Sequence, residues 1–505
     1  MLQRIILGLL AAGPLLCDAA SATTCESLRG FSSAGFRIDA ATSIAPAPKW
    51  IAEPGARPVT QPFCRVQGTI EKEIGFELWL PSSGHWNGKY LGAGVGGDAG
   101  AFNFLDLPRG LARGYAAATT DSGHKLSDRQ WMLGDPERLS NFEHRAHHLL
   151  AVTSKQIISS YYAKAPAHSF FIGCSGGGRQ GLKEAQLYPG DYDGIIVGAP
   201  GPKTASMSAR RLWEINLHRK HPGLMAAADW QFVADAASKQ CDGQDGVVDG
   251  IVNNPRRCHF DASSLLCTTG STTGDKPCLS ERQVRLVRTI YAPLQDENGQ
   301  RIDNGLLPGV RVTPLPESRL APALFGQAVH RSAAWDLTQF SIAGDLEALN
   351  KAMPGLAADD ANLQPFRDAG GKLIIYQGWL DPAVAADMSI AYVETVMART
   401  KDTPAVDAFL RLYLAPGVLH CRGGNGPDQF GGSGSDAPVV DADHDLLSAL
   451  ERWVEQGVAP SPIVASQWSN GRVFRTRPLC PYPEEVRYRG SGDPDVADSF
   501  QCERR

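Results

Sequence analysis

The segment Gly173-Cys174-Ser175-Gly176-Gly177 places a serine between glycines, with an apolar run leading in from His168 to Ile172 and a helix-compatible run leading out to Leu187. A serine on a tight strand-to-helix turn is held with its hydroxyl exposed, and only small neighbours fit beside the adjoining strands. The start of a helix also puts partial positive charge where an oxyanion would form. This arrangement suits nucleophilic acyl transfer. A phosphate loop does not fit, because no Lys-Ser/Thr pair follows the glycines.

A serine hydroxyl is a weak nucleophile at neutral pH and needs a base. On turns of this kind the partners follow in the order serine, acid, histidine. The histidines well downstream are His330, His420 and His444. His420 ends the loop Pro416-Gly417-Val418-Leu419, which follows a strand-like run, and it is the expected base. His330 falls inside an irregular region and His444 begins a surface helix. Asp381 lies just past the strand ending at Tyr376 and is expected to orient the imidazole. The oxyanion donors are expected to be the N–H of Gly176 and that of Gly96 or Gly97, from the loop Gly92–Gly97.

These residues need a scaffold, and the surrounding pattern supplies one. Strands are predicted at 74–80, 89–91, 114–120, 168–172, 193–197, 371–376 and 409–414. Helices are predicted at 142–161, 177–187 and 443–456. Alternation of this kind points to a parallel sheet, here an α/β-hydrolase core. The rhythm lapses over residues 202–361, which are rich in Pro, Gly, Cys and Asp. The expected organisation is therefore a core at 23–201 and 362–505, split by an inserted lid domain at 202–361. The aromatic residues Trp213, Trp230, Phe325, Trp335 and Phe340 are candidates for substrate walls, although most of them suit the lid's own core.

The chain has 505 residues, a net charge of −5 and a pI near 6.2. Nothing in that balance draws it to nucleic acid or to an anionic membrane. Oligomeric state is left open. Residues 1–22 read as a signal peptide, with an apolar run too short for a stable span and a small-residue cleavage site at Ala20-Ser21-Ala22. The protein is thus expected to be secreted or periplasmic. Ten cysteines follow, an even number in an exported chain. Sequence distance suggests pairing Cys241 with Cys258, Cys267 with Cys278, and Cys480 with Cys502. Cys174 and Cys421 are left to each other, and Cys25 and Cys64 complete the set. The pairing of Cys174 with Cys421 has a chemical echo: Cys174 precedes the candidate nucleophile and Cys421 follows the candidate base.

On these motifs the chain resembles the tannase and feruloyl esterase family, which includes mono(2-hydroxyethyl) terephthalate hydrolases. The matching stretches are Trp86-Asn87-Gly88, Gly173 to Gly181, Tyr188 to Ile196, Gly370 to Tyr376 and Pro416 to Asp428. The resemblance implies a serine esterase acting on small aromatic esters such as gallates or ferulates, through an acyl-enzyme on Ser175. A terephthalate monoester hydrolase or general arylesterase is the alternative, and a non-catalytic binding protein is a weaker one. Gln377 stands where the family commonly carries His, and Gly176 where it commonly carries Thr or Glu. The resemblance also implies a calcium site on Cys241-Asp-Gly-Gln-Asp-Gly-Val-Val-Asp-Gly-Ile251. Its ligands would be the carboxylates of Asp242, Asp245 and Asp249 and the carbonyls of Val247 and Ile251, all hard oxygens. Its position away from the triad in sequence implies a structural role.

Overall fold

The computed structural model describes residues 24–31, 33–268, 277–313, 319–401 and 403–504. The predicted leader lies outside them. Nine strands form one sheet: β1 (Phe36–Ile44), β2 (Phe63–Ile70), β3 (Ile74–Pro81), β4 (Lys89–Ala93), β5 (Ala116–Thr120), β6 (His168–Cys174), β7 (Gly194–Gly198), β8 (Lys372–Gly378) and β9 (Leu410–Ala415). Their order is β1-β2-β3-β5-β4-β6-β7-β8-β9. The first four pair antiparallel, and from β5 through β9 every pairing is parallel. This is the α/β-hydrolase arrangement.

The central strands are continuous apolar runs because both of their faces are covered. Successive residues point to opposite sides. Phe171, Ile195, Val197, Leu373 and Ile375 join one apolar layer, while Phe170, Ile172, Ile196, Ile374 and Tyr376 join the other. The expected strands and helices all appear, with ends shifted by a few residues. The antiparallel strands β1 and β2 have no counterpart among the predicted ones. β1 alternates buried and exposed positions irregularly and carries a register shift between Ile38 and Ala40. β2 alternates buried and half-buried positions regularly from Cys64 to Ile70, so a clean two-residue period is missing only from β1.

Between β7 and β8 the chain leaves the sheet. It builds a separate apolar cluster around Trp230, Val233, Val284, Val287 and Ile290. It also packs the helix Thr204–Lys220 and residues 324–328 against Trp131 and Phe142 of the core. After the helix Leu446–Gln456 come two hairpins, β10 (Ile463–Ser469) with β11 (Arg472–Leu479), and β12 (Glu484–Tyr488) with β13 (Phe500–Arg504). Among the described residues five disulfides join Cys25 to Cys64, Cys174 to Cys421, Cys241 to Cys258, Cys267 to Cys278 and Cys480 to Cys502. No helix among the described residues is long and apolar enough to cross a membrane.

Candidate active site

Ser175 sits between β6 and the helix Gly176–Leu187 with φ +59° and ψ −122°. That conformation is strained for a residue with a side chain, and it persists only because the strand and helix on either side fix it. The turn closes so tightly that a Cβ on Gly173 would lie 2.5 Å from the Gly177 carbonyl oxygen. A Cβ on Gly176 would lie 2.8 Å from the Gly97 carbonyl oxygen. Glycine at 176 thus lets the loop Gly94–Gly97 rest directly on the start of the nucleophile's helix. Among the described residues the N–H groups of Gly96, Gly97 and Gly176 carry no hydrogen bond, and all three flank Ser175. Gly97 has φ +63°. The neighbouring Val95 N–H is held by Gln180 Oε1 at 2.9 Å, which fixes the loop to that helix.

Asp381 follows β8 and is buried. Its Oδ1 accepts hydrogen bonds from the N–H groups of Ala383 (2.8 Å) and Val384 (2.9 Å). Its Oδ2 lies 2.8 Å from His420 Nδ1, so Nδ1 carries the proton and Nε2 is left as acceptor. The backbone brings acid and base together. Leu380 N–H donates to the Val418 carbonyl at 3.0 Å, and Trp379 N–H to that of Ala415 at 3.1 Å. The Cys174–Cys421 bridge, with Cα atoms 6.1 Å apart across 247 residues of sequence, ties the two residues adjoining Ser175 and His420.

Ser175 and His420 line one open cleft of about 590 Å³. That is a size suited to a small organic molecule. Among the described residues no hydrogen bond joins Ser175 Oγ to His420 Nε2. Substrate-free sites often show this contact long, tightening only when substrate binds. The other walls are Glu53–Ala56, Gly94–Gly97, Phe102–Asp106 and Ser433–Gly434, with Arg422 on the rim. The aromatic walls are Phe102 and Phe104, and none of the five lid candidates lines the cleft. Trp230 is fully buried in the insertion's own cluster and Phe325 where the insertion packs on the core, and Trp335 stacks on His330 at 4.3 Å. The pair Phe102-x-Phe104 begins five residues past the glycine-rich loop, and that nearness is the signal the sequence carries for it.

The rival histidines go elsewhere. His330 Nε2 is 2.7 Å from Asp345 in the insertion, and His444 Nδ1 is 2.7 Å from Asp441. Neither lines the cleft.

The acidic loop Asp242–Ile251 is folded on itself. Asp242 accepts from the N–H groups of Asp249 and Gly250, Asp245 from Asn253, and Asp249 from the buried Arg477 of β11. Burial, and then the neighbouring charges of Asp249 and Asp242, push the Asp245 carboxyl up to about 6. No three acidic, His or Cys side chains converge in metal-binding geometry among the described residues. The donor chemistry nevertheless fits a hard cation. Of three carboxylates on one short loop only Asp249 is paired with a cation, Arg477, and the carbonyls of Val247 and Ile251 accept no hydrogen bond among the described residues. The loop also touches the histidine loop directly, because Asn425 Nδ2 donates to the Gly250 carbonyl.

The family model "Tannase and feruloyl esterase" matches residues 57–313 and 321–503. An uncharacterized esterase of Xanthomonas campestris is 36% identical, covering 99% of this chain and 94% of its own. A probable feruloyl esterase B of Emericella nidulans is 31% identical over 88% of this chain and 86% of its own. The crystal structure of feruloyl esterase B from Aspergillus oryzae superposes with a TM-score of 0.88 at 26% identity, covering 95% of this chain and 99% of that one. A tannin acyl hydrolase from Aspergillus niger shares the fold, with a TM-score of 0.77 at 21% identity and coverage of 94% and 92%.

Proposed function

Because the chain belongs to the tannase and feruloyl esterase family, and so is a carboxylic ester hydrolase, we propose that it cleaves aromatic esters through an acyl-enzyme on Ser175. The observation that carries the reading is the His420–Asp381 pair opening onto the same cleft as Ser175. Ser175 Oγ attacks the ester carbonyl carbon while His420 Nε2 takes its proton. The oxyanion is met by the N–H of Gly176 and that of Gly96 or Gly97, which are otherwise unpaired. Collapse expels the alcohol, protonated by His420. Water, deprotonated by the same nitrogen, then attacks the acyl-enzyme and frees the acid and Ser175. Asp381 holds the imidazole in the tautomer this needs and stabilises the imidazolium. Phe102 and Phe104 offer flat apolar walls for an aromatic acyl group. The five disulfides support an oxidising destination, secreted or periplasmic.

A second reading of the acyl group rests on Arg422. Its guanidinium donates to the Gly434 carbonyl at 2.8 Å and has no carboxylate within ion-pair distance among the described residues. That favours an acyl group bearing a second carboxylate, as in a terephthalate monoester. Hydrolysis rates on methyl gallate, methyl ferulate and a terephthalate monoester, beside fluorophosphonate labelling of Ser175, test both readings. Absence of labelling would overturn the serine mechanism. We propose further that Asp242, Asp245 and Asp249, with the carbonyls of Val247 and Ile251, hold calcium as a structural ion. The ion takes no part in the reaction.

A further inference from the structure

Gln377, the penultimate residue of β8, is fully buried and takes part in none of the steps above. Its amide orientation is determined by its neighbours. Ser389 Oγ donates to Gln377 Oε1 at 2.8 Å. At the other end Nε2 faces three acceptors: Asp381 Oδ2 at 3.2 Å, the Gly378 carbonyl at 3.1 Å and the Val384 carbonyl at 3.1 Å. A flipped amide would turn its oxygen toward all three and leave the Ser389 hydroxyl facing an NH2 group, so the nitrogen must point at the carboxylate.

The atom that Gln377 holds is the one that matters to the base. Asp381 Oδ2 accepts from both Gln377 and His420 Nδ1, while Oδ1 is occupied by two backbone N–H groups. The backbone bonds fix one oxygen only and leave the carboxylate free to twist about its own axis. The amide stops that twist and aims the second oxygen at the imidazole.

We propose that Gln377 is a positioning residue for the acid–base pair, acting through Asp381, and that Ser389 sets its polarity. The inference rests on the triad reading. The requirement is for a neutral donor. Aliphatic side chains leave Oδ2 with His420 alone. A glutamic acid can donate in its place only while protonated, and once ionised it repels Asp381 across the same short gap. Burial and the adjacent Asp381 charge would both raise the pKa of such a glutamic acid. The titratable groups facing this position are Asp381 and, behind it, His420. On the neighbouring helix Ala386–Thr400, Asp387 is taken up by Arg256 at 2.5 Å, and Arg211 of the insertion binds the Pro382 carbonyl.

The test compares Gln377→Leu, Gln377→Glu and Ser389→Ala with the wild type in kcat and KM from pH 5 to 9, each checked for folding by melting temperature. Gln377→Leu is expected to lower kcat roughly ten-fold or more with KM little changed. Ser389→Ala should give a smaller loss of the same kind. Gln377→Glu is the decisive variant, and it also serves if the leucine variant fails to fold. It should approach wild-type kcat at the acid end and lose it as pH rises, adding a descending limb that the wild type lacks. A uniform loss across the pH range would mean a merely structural role, and unchanged rates in all three variants would equally overturn the proposal. Fluorophosphonate labelling of the wild type separates the two possible failures. A wild type that does not label defeats the triad reading itself. A labelled wild type with unaffected variants defeats only the role given to Gln377.

Discussion

His420 meets Asp381 at 2.8 Å on the edge of the sheet, and His330 meets Asp345 at 2.7 Å inside the insertion. Both aspartates are buried, and both imidazoles are about one-third exposed. By bond length alone the pairs are equivalent. Their surroundings differ. The Asp381 pair faces a cleft shared with a strained serine, whereas His330 lies against the Trp335 ring and Asp345 also accepts the Ser341 N–H. A histidine–carboxylate pair is therefore a common structural staple. It becomes chemical machinery only when a nucleophile is fixed opposite its free nitrogen.

The sharpest way to break this comparison is to remove each partner in turn. Ser175→Ala and His420→Ala should each lower kcat by about four orders of magnitude or more, because the residues act in one concerted step. His330→Ala should leave kcat within about two-fold and lower only the melting temperature. Comparable loss in His330→Ala would mean that the wrong pair has been assigned to catalysis.

The disulfides allow a second contrast, between the active site and the C-terminal hairpins. Cys174–Cys421 anchors the serine and histidine backbones, whereas Cys480–Cys502 staples a hairpin across 22 residues. Small displacements of reacting groups cost large factors in rate. Replacing both Cys174 and Cys421 by Ala should reduce kcat roughly 10- to 100-fold, while the same change at Cys480 and Cys502 should have little effect. Both must be assayed below the lower of the two melting temperatures, since the long bridge also restrains the unfolded chain by roughly 5 kcal/mol on the entropic model. Equal loss in the two would reduce the long bridge to a staple.

A smaller effect is expected at the acidic loop. A ligand that binds only the native state stabilises it by mass action. Chelation should lower the melting temperature by a few degrees, and Asp245→Ala should reproduce that without changing the rate constants below the transition. An unchanged melting temperature after exhaustive chelation would remove calcium from the account.

Buried histidines make the smallest test. His124 is held down to about 4 and His147 to about 3, both mainly by burial. Neither ring nitrogen of His147 finds a hydrogen bond. Their folded values lie below the unfolded value near 6.5, so the unfolded chain binds more protons between about pH 3 and 6.5. Stability is thus complete above pH 6.5 and declines as pH falls toward 3, the His147 share last. His147→Phe should flatten that decline in melting temperature. An undiminished slope would assign acid sensitivity to other groups.

Much of the fold and of the site is legible in the amino-acid sequence. The Gly173–Gly177 turn, the strand runs beside it and the cysteines next to Ser175 and His420 are local signals, each spelled out within a few residues. The cleft walls are not legible in the same way. Trp230 and Phe325 stand out as large aromatics in an insertion, but the insertion's own core consumes Trp230 and its packing on the sheet domain consumes Phe325. Phe102 and Phe104 reach the site because the glycine loop beside them packs on the nucleophile's helix, which is a tertiary fact. The role of Gln377 is equally hidden, since an amide at the end of an apolar strand gives no hint of which atoms it faces.

The insertion also grips both loops that carry the acid and the base. Arg211 binds the Pro382 carbonyl beside Asp381, Arg256 binds Asp387, and the Gly250 carbonyl receives Asn425 from the loop of His420. For protein recombination this sets a rule. A chimera that receives a relative's insertion without the matching residues at 387 and 425 exchanges more than a binding surface. It re-seats the two loops from outside, so turnover suffers before selectivity can change. The transferable unit is the insertion together with positions 387 and 425.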